Sequence, residues 1–151
     1  MARLDTSFLR DTLFLRRGTN GGVESVMKKI LIVDDEENSR VSLGKLLSHE
    51  GYLVNTVANG QEALDFLQQN KINLIITDIN MPQMNGLAFL KAVSSDHPKI
   101  DVIMVTAYGG VGSYLEAMNL GAMEYINKPI KLDELKLIMK RIFHGGAINT
   151  A

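Results

Sequence analysis

Five short apolar runs, each followed by a segment of helical period, constrain the fold of this chain more than any other feature. The runs read KILIV (29–33), YLVNTV (52–57), INLIIT (72–77), DVIMVT (101–106) and MEYI (123–126). Between them, Leu43, Leu46 and Leu47 mark one helical stripe, Ala63, Leu64 and Leu67 a second, and Leu87, Leu90 and Val93 a third. Val111, Tyr114, Leu115 and Met118 form a fourth, and Leu135, Ile138, Met139 and Ile142 a fifth. Residues at these spacings fall on one side of a helix. A right-handed crossover helix returns each strand to the same edge of the sheet, so five such pairs predict a parallel sheet. The strand runs are continuous rather than alternating, so both faces of the sheet are covered and the domain is a three-layer α/β structure. The polar Asn55 and Thr56 make YLVNTV the exception and suit an edge strand.

A chain of 151 residues fits one domain and buries roughly two thirds of its unfolded surface. The pattern assigns residues 27–144 to that domain. Residues 1–26 are expected to be an extension outside the fold, with Leu4, Phe8 and Leu15 only partly in helical phase, and 145–151 a Gly-marked tail. Sixteen basic against seventeen acidic residues leave no overall charge to draw the chain to nucleic acid or an anionic membrane. The absence of cysteine excludes a disulfide framework, a thiolate metal site and a cysteine nucleophile, and suits a cytoplasmic location. No apolar run reaches the roughly 18 to 20 residues of a membrane span.

In an open parallel sheet, ligands bind outside the C-terminal ends of the strands. The residues just after the runs are Asp34-Asp35, Asn59-Gly60, Asp78, Thr106-Ala107 and Lys128-Pro129. Four strands thus deliver three carboxylates, a hydroxyl and an ammonium. Two carboxylates ~4 Å apart repel by about 4 kcal/mol at an effective dielectric constant of 20, so three in one pocket call for a cation. Mg²⁺ suits one or two carboxylates with retained waters and a substrate phosphate, leaving another carboxylate free to attack phosphorus.

These residues sit in four motifs, ILIVDD, IITDINMPQMNG, MVTAY and YINKP. In this order and at these strand ends they resemble the signatures of the receiver domain of bacterial two-component response regulators, over roughly residues 28–143. The resemblance implies a (βα)5 doubly wound sheet of flavodoxin-like order 2-1-3-4-5. It makes Asp78 the phosphoacceptor, with Asp34, Asp35, Asp78 and the backbone carbonyl of Asn80 around Mg²⁺. Thr106 and Lys128 would bind phosphoryl oxygens, Tyr125 would be the switch aromatic, and the Lys128-Pro129 bond would be cis. The phosphoryl donor would be a sensor histidine kinase or a phosphotransfer protein. The face made by the fourth helix, fifth strand and fifth helix (111–120, Tyr125, 132–143) would contact a downstream protein or a second copy, without direct binding to nucleic acid or membrane. Such a module promotes its own phosphorylation and dephosphorylation and is not an enzyme acting on a separate substrate. Two departures stand out: Asn85 replaces the commoner Asp before the third helix, and the bulky Tyr108 stands beside the approach to the phosphate.

The chain is expected to act alone or as a phosphorelay intermediate; a receiver within a larger DNA-binding regulator or hybrid kinase is the near alternative. A flavodoxin-like electron carrier is disfavoured because DDEEN would repel a flavin phosphate. A haloacid-dehalogenase-like phosphatase would carry Asp-x-Asp after the first strand, where this chain has adjacent aspartates. A receiver-like module that only binds partners would not need every catalytic position filled. Singly, Asp34-Asp35 reads as a helix cap and Asp78 as a turn residue; together with Lys128 they do not. YGGVG (108–112) lacks phosphate-loop spacing and reads as a loop. His49, His97 and His144 read as helix-end or surface residues.

Overall fold

The computed structural model describes residues 27–144. The N-terminal extension and the C-terminal tail lie outside the described residues. Strands β1 (Lys29–Val33), β2 (Leu53–Val57), β3 (Leu74–Asp78), β4 (Asp101–Thr106) and β5 (Glu124–Asn127) alternate with helices α1 (Glu37–His49), α2 (Gly60–Leu67), α3 (Gly86–Asp96), α4 (Val111–Asn119) and α5 (Leu132–Phe143). All strand pairs are parallel and the order is β2-β1-β3-β4-β5. Among the described residues no helix is long and apolar enough to cross a membrane.

The two-residue period of a strand divides each apolar run between two layers. Leu31, Val33, Ile75, Val102 and Met104 face one side, where Ala63 and Leu67 of α2, Phe89, Leu90 and Val93 of α3, and Ala117 of α4 cover them. Ile30, Ile32, Leu74, Ile76, Ile103, Val105 and Ile126 face the other, under Leu47 of α1 and Leu135, Ile138 and Met139 of α5. Two layers of covering helices therefore account for the unbroken apolar runs. β2 lies at an edge, with Asn55 and Thr56 exposed, as its composition predicts.

Helix ends follow local chemistry. Asn59 caps α2 by accepting from the Glu62 amide (2.8 Å), while Glu62 accepts from the Ala58 amide (2.9 Å). The first bond satisfies a donor that the first helical turn leaves free, and the second ties down the amide of the residue just before the cap. Asn85 caps α3 through the Ala88 amide (2.9 Å), so it does the turn work of the commoner Asp. Glu36 is the N-cap residue of α1 and Glu37 lies in its first turn, where negative charge suits the helix dipole. His49, His97 and His144 lie at or just beyond the ends of α1, α3 and α5.

Two apolar stripes differ from their expected roles. On α4 only Ala117 is buried; Val111 is 76% and Leu115 54% exposed. Leu46 of α1 is also exposed and lines a groove of about 490 Å³ with Leu43, Pro129, Ile130 and Leu132. Helical spacing reports an apolar face and not what covers it.

Candidate functional site

Strand order creates the site. The chain leaves β1 toward β2 on one side, then returns past β1 to place β3 on the other, so β1 and β3 flank the point where the winding reverses. Crevices open at such points. Val33 pairs with Thr77, and the next residue of each strand path, Asp34 and Asp78, emerges at the same rim. β4 ends beside them at Thr106, which pairs with Asn127 of β5. Lys128 follows Asn127, and its amide donates to the Thr106 carbonyl at 2.8 Å. The Lys128-Pro129 peptide is cis.

Asp34 and Asp78 are buried, whereas Asp35 is exposed. One carboxylate oxygen from each can be chosen so that all three lie within 4.8 Å of one another. Lys128 Nζ donates to Asp78 Oδ2 at 2.9 Å and lies 3.5 Å from Asp34 Oδ2. The backbone also favours the charged rim. Glu36 N donates to Asp34 Oδ1 (2.9 Å), and Asn80 N donates to Asp78 Oδ1 (3.3 Å). The fully buried Thr106 accepts at Oγ1 from Tyr108 N (3.1 Å) and from Asn80 Nδ2 (3.4 Å).

Burial holds the Asp34 carboxyl above the usual carboxylate range, with the Asp78 charge adding to the rise and the Glu36 amide and Lys128 opposing it. For Lys128, burial opposes the charge, but the hydrogen bond and charge of Asp78, then those of Asp34, raise its pKa overall. The two partners differ in sense: the lysine is held charged while Asp34 is pushed toward neutrality. The distances account for this, because the ammonium is bonded closely to Asp78 and only loosely to Asp34. Lys128 pairs with two of the three carboxylates, all donors are hard oxygens, and Asp35 is exposed to water. This donor set fits a small divalent cation.

Every side chain expected at the site from the sequence lies at this rim except Tyr125. That residue sits two positions earlier on β5, opposite Met104. Its ring stands edge-on to Tyr114, with centroids 5.5 Å apart. Sequence reasoning did not single out Arg40, whose Nη1 donates to the Asp34 carbonyl at 3.1 Å. It also did not anticipate how closely Gly86 packs. A Cβ there would collide with the Asp78 carbonyl oxygen and lie 2.6 Å from Ile79 Cα. Both obstacles are backbone, so no rotamer relieves them. Gly86→Ala is expected to cost about 1 to 3 kcal/mol as an overpacked site, read as a lower urea midpoint at unchanged slope.

Comparison with known proteins agrees with this geometry. The family model described as "Response regulator receiver domain" matches residues 30–140. Regulatory protein AtoC of Escherichia coli (strain K12) is 38% identical over 117 residues, 78% of this chain but only 25% of AtoC. Sporulation initiation phosphotransferase F of Bacillus subtilis (strain 168) is 36% identical over 114 residues, covering 76% of this chain and 92% of that protein. Among solved structures, response regulator protein TrrA of Thermotoga maritima, in complex with Mg(2+)-BeF, superposes with a TM-score of 0.70 at 38% identity, covering 77% of this chain and 99% of that one. A five-stranded sheet of this order, with its acidic rim and a family match across nearly all the described residues, shows that the chain belongs to the response regulator receiver domains of two-component signalling.

Proposed function

We propose that Asp78 is the phosphoacceptor of this receiver. Asp34, Asp35, Asp78 and the Asn80 backbone carbonyl would hold Mg²⁺, and Thr106 and Lys128 would bind phosphoryl oxygens. The observation that carries the reading is the placement of Lys128 Nζ, 2.9 Å from Asp78 and 3.5 Å from Asp34. It is a fixed positive charge beside a buried carboxylate at the mouth of the crevice. In the transfer, an Asp78 oxygen attacks phosphorus, the P–N bond to the donor's histidine breaks, and the imidazole leaves with its proton. Lys128 and the Thr106 hydroxyl offer donors to the oxygens on which negative charge collects. A divalent cation, when bound, neutralises charge on the same oxygens.

The donor in this reading is a sensor histidine kinase or a phosphotransfer protein in the cytoplasm, and residues 27–144 are the receiver unit. AtoC is four times longer than the matched region, which supports a second reading as the receiver portion of a larger regulator. Thr106 responding to phosphate would shift Tyr125 and the α4-β5-α5 face, whose exposed Val111, Leu115 and Leu137 offer apolar contact to a protein partner or a second copy. Phosphate shifts that equilibrium only by its differential affinity for the two states.

Incubation with acetyl phosphate and Mg²⁺, followed by borohydride reduction of the acyl phosphate and peptide mapping, is expected to place the modification on Asp78 alone. Chelation should reduce labelling to background. Modification mapped to another residue, or undiminished labelling in chelator, would overturn the assignment.

A further inference from the structure

The glycine pair between β4 and α4 holds two residues in different surroundings. A Cβ built on Gly110 meets nothing within 4 Å. One built on Gly109 collides with the Tyr125 hydroxyl oxygen, and lies 2.8 Å from Thr106 Cγ2 and 3.0 Å from Asn127 Oδ1. Gly109 is not among the residues with positive φ, so its backbone would accept alanine. What the position lacks is room.

Tyr125 fills the place that a side chain at 109 would take. Its hydroxyl oxygen is buried and has no hydrogen-bond partner among the described residues. Packing holds the ring, through the edge of Tyr114 and the apolar layer around Met104. A position held by space alone, with its polar atom unpaired, is readily exchanged for one in which the hydroxyl reaches water.

We propose that Gly109 is the positioning residue that permits the inward ring of Tyr125, and that a side chain there holds the ring out and uncouples the acidic site from the α4-β5-α5 face. The coupling half of this statement rests on the reading of Asp78 and Thr106 given above; the steric half does not.

The test uses the full chain as wild type, Gly109→Ala and Gly110→Ala, with NMR of the tyrosine rings and threonine methyls. Wild type and Gly110→Ala are expected to show a nuclear Overhauser effect between the Tyr125 ring and the Thr106 methyl, and Gly109→Ala to lose it. On adding beryllofluoride and Mg²⁺, Gly109→Ala should keep the shifts around Asp78 while those on α4, β5 and α5 fall by at least half. A retained Overhauser effect, or undiminished distant shifts, would overturn the proposal. Absence of any response at Asp78 in wild type would instead sink the phosphoacceptor reading, and the Overhauser comparison would still decide the role of Gly109. Should Gly109→Ala prove too unstable for NMR, the cycle with Tyr125→Ala decides. The fall in melting temperature caused by Gly109→Ala should be smaller when the ring is gone; an equal fall would mean that the glycine does not accommodate the ring.

Discussion

Asp78→Asn is expected to abolish labelling by acetyl phosphate while leaving the thermal transition nearly unchanged. The amide oxygen is too poor a nucleophile to form an acyl phosphate, so the loss is chemical. The single Asn carbonyl can accept from Lys128 Nζ or from the Asn80 amide but not both, because these now bond different carboxylate oxygens. The fold should therefore tolerate the change only because the charge balance of the rim improves. The lost attraction to one lysine is offset by lost repulsion from two neighbouring carboxylates. Each such repulsion is on the order of 3 to 4 kcal/mol at an effective dielectric constant near 20. Measured side by side, phosphorylation should fall to background with unfolding free energy within about 0.5 kcal/mol of wild type. Residual labelling at the wild-type rate would show that another residue accepts the phosphoryl group.

Lys128→Ala should impair both properties. The ammonium is the cation that bridges Asp34 and Asp78, and its removal leaves the carboxylates facing one another at a buried rim. Breaking a fully buried pair costs about 3 to 5 kcal/mol. With the lysine side chain 26% exposed, water screens part of the charge and about 1 to 3 kcal/mol is the appropriate range. The phosphorylation rate should fall roughly 10²- to 10³-fold, as when one preorganised donor to a developing charge is removed. Added Mg²⁺ should restore part of the stability and little of the rate, because the lost donor faced the transferring oxygens. A variant as fast as wild type would remove Lys128 from the chemistry.

The apolar runs made the five strands legible, since a strand covered on both faces has no polar alternation to obscure it. Site residues were legible for a related reason: in a parallel sheet every strand delivers its last residue to one rim. The adjacency of Asp34 and Asp78 was not encoded in those runs, because it depends on β3 lying beside β1, and that order came from the family resemblance. Contacts set by close approach were also hidden. Gly109 sits in a stretch that reads as an ordinary loop and Gly86 at the start of the third helix, and only the packed structure reveals that an aromatic ring in the first case and backbone in the second occupies the place of a Cβ. The α4 stripe shows the complementary gap. Val111 and Leu115 have the spacing of core residues, yet nothing among the described residues covers them.

The sheet ends in two unequal edges, β2 with its exposed Asn55 and Thr56 and β5 with only four residues. A long, flat, apolar edge recruits a further strand from another molecule and begins a growing stack. Neither edge here has that form: one displays polar side chains and the other is too short to template an extended segment. Polymerisation along the sheet is thereby discouraged even at high concentration. Among the described residues, most of the exposed large apolar side chains, Val41, Leu46, Val111, Tyr114, Leu115 and Leu137, lie on helices, where a two-fold association closes after two copies.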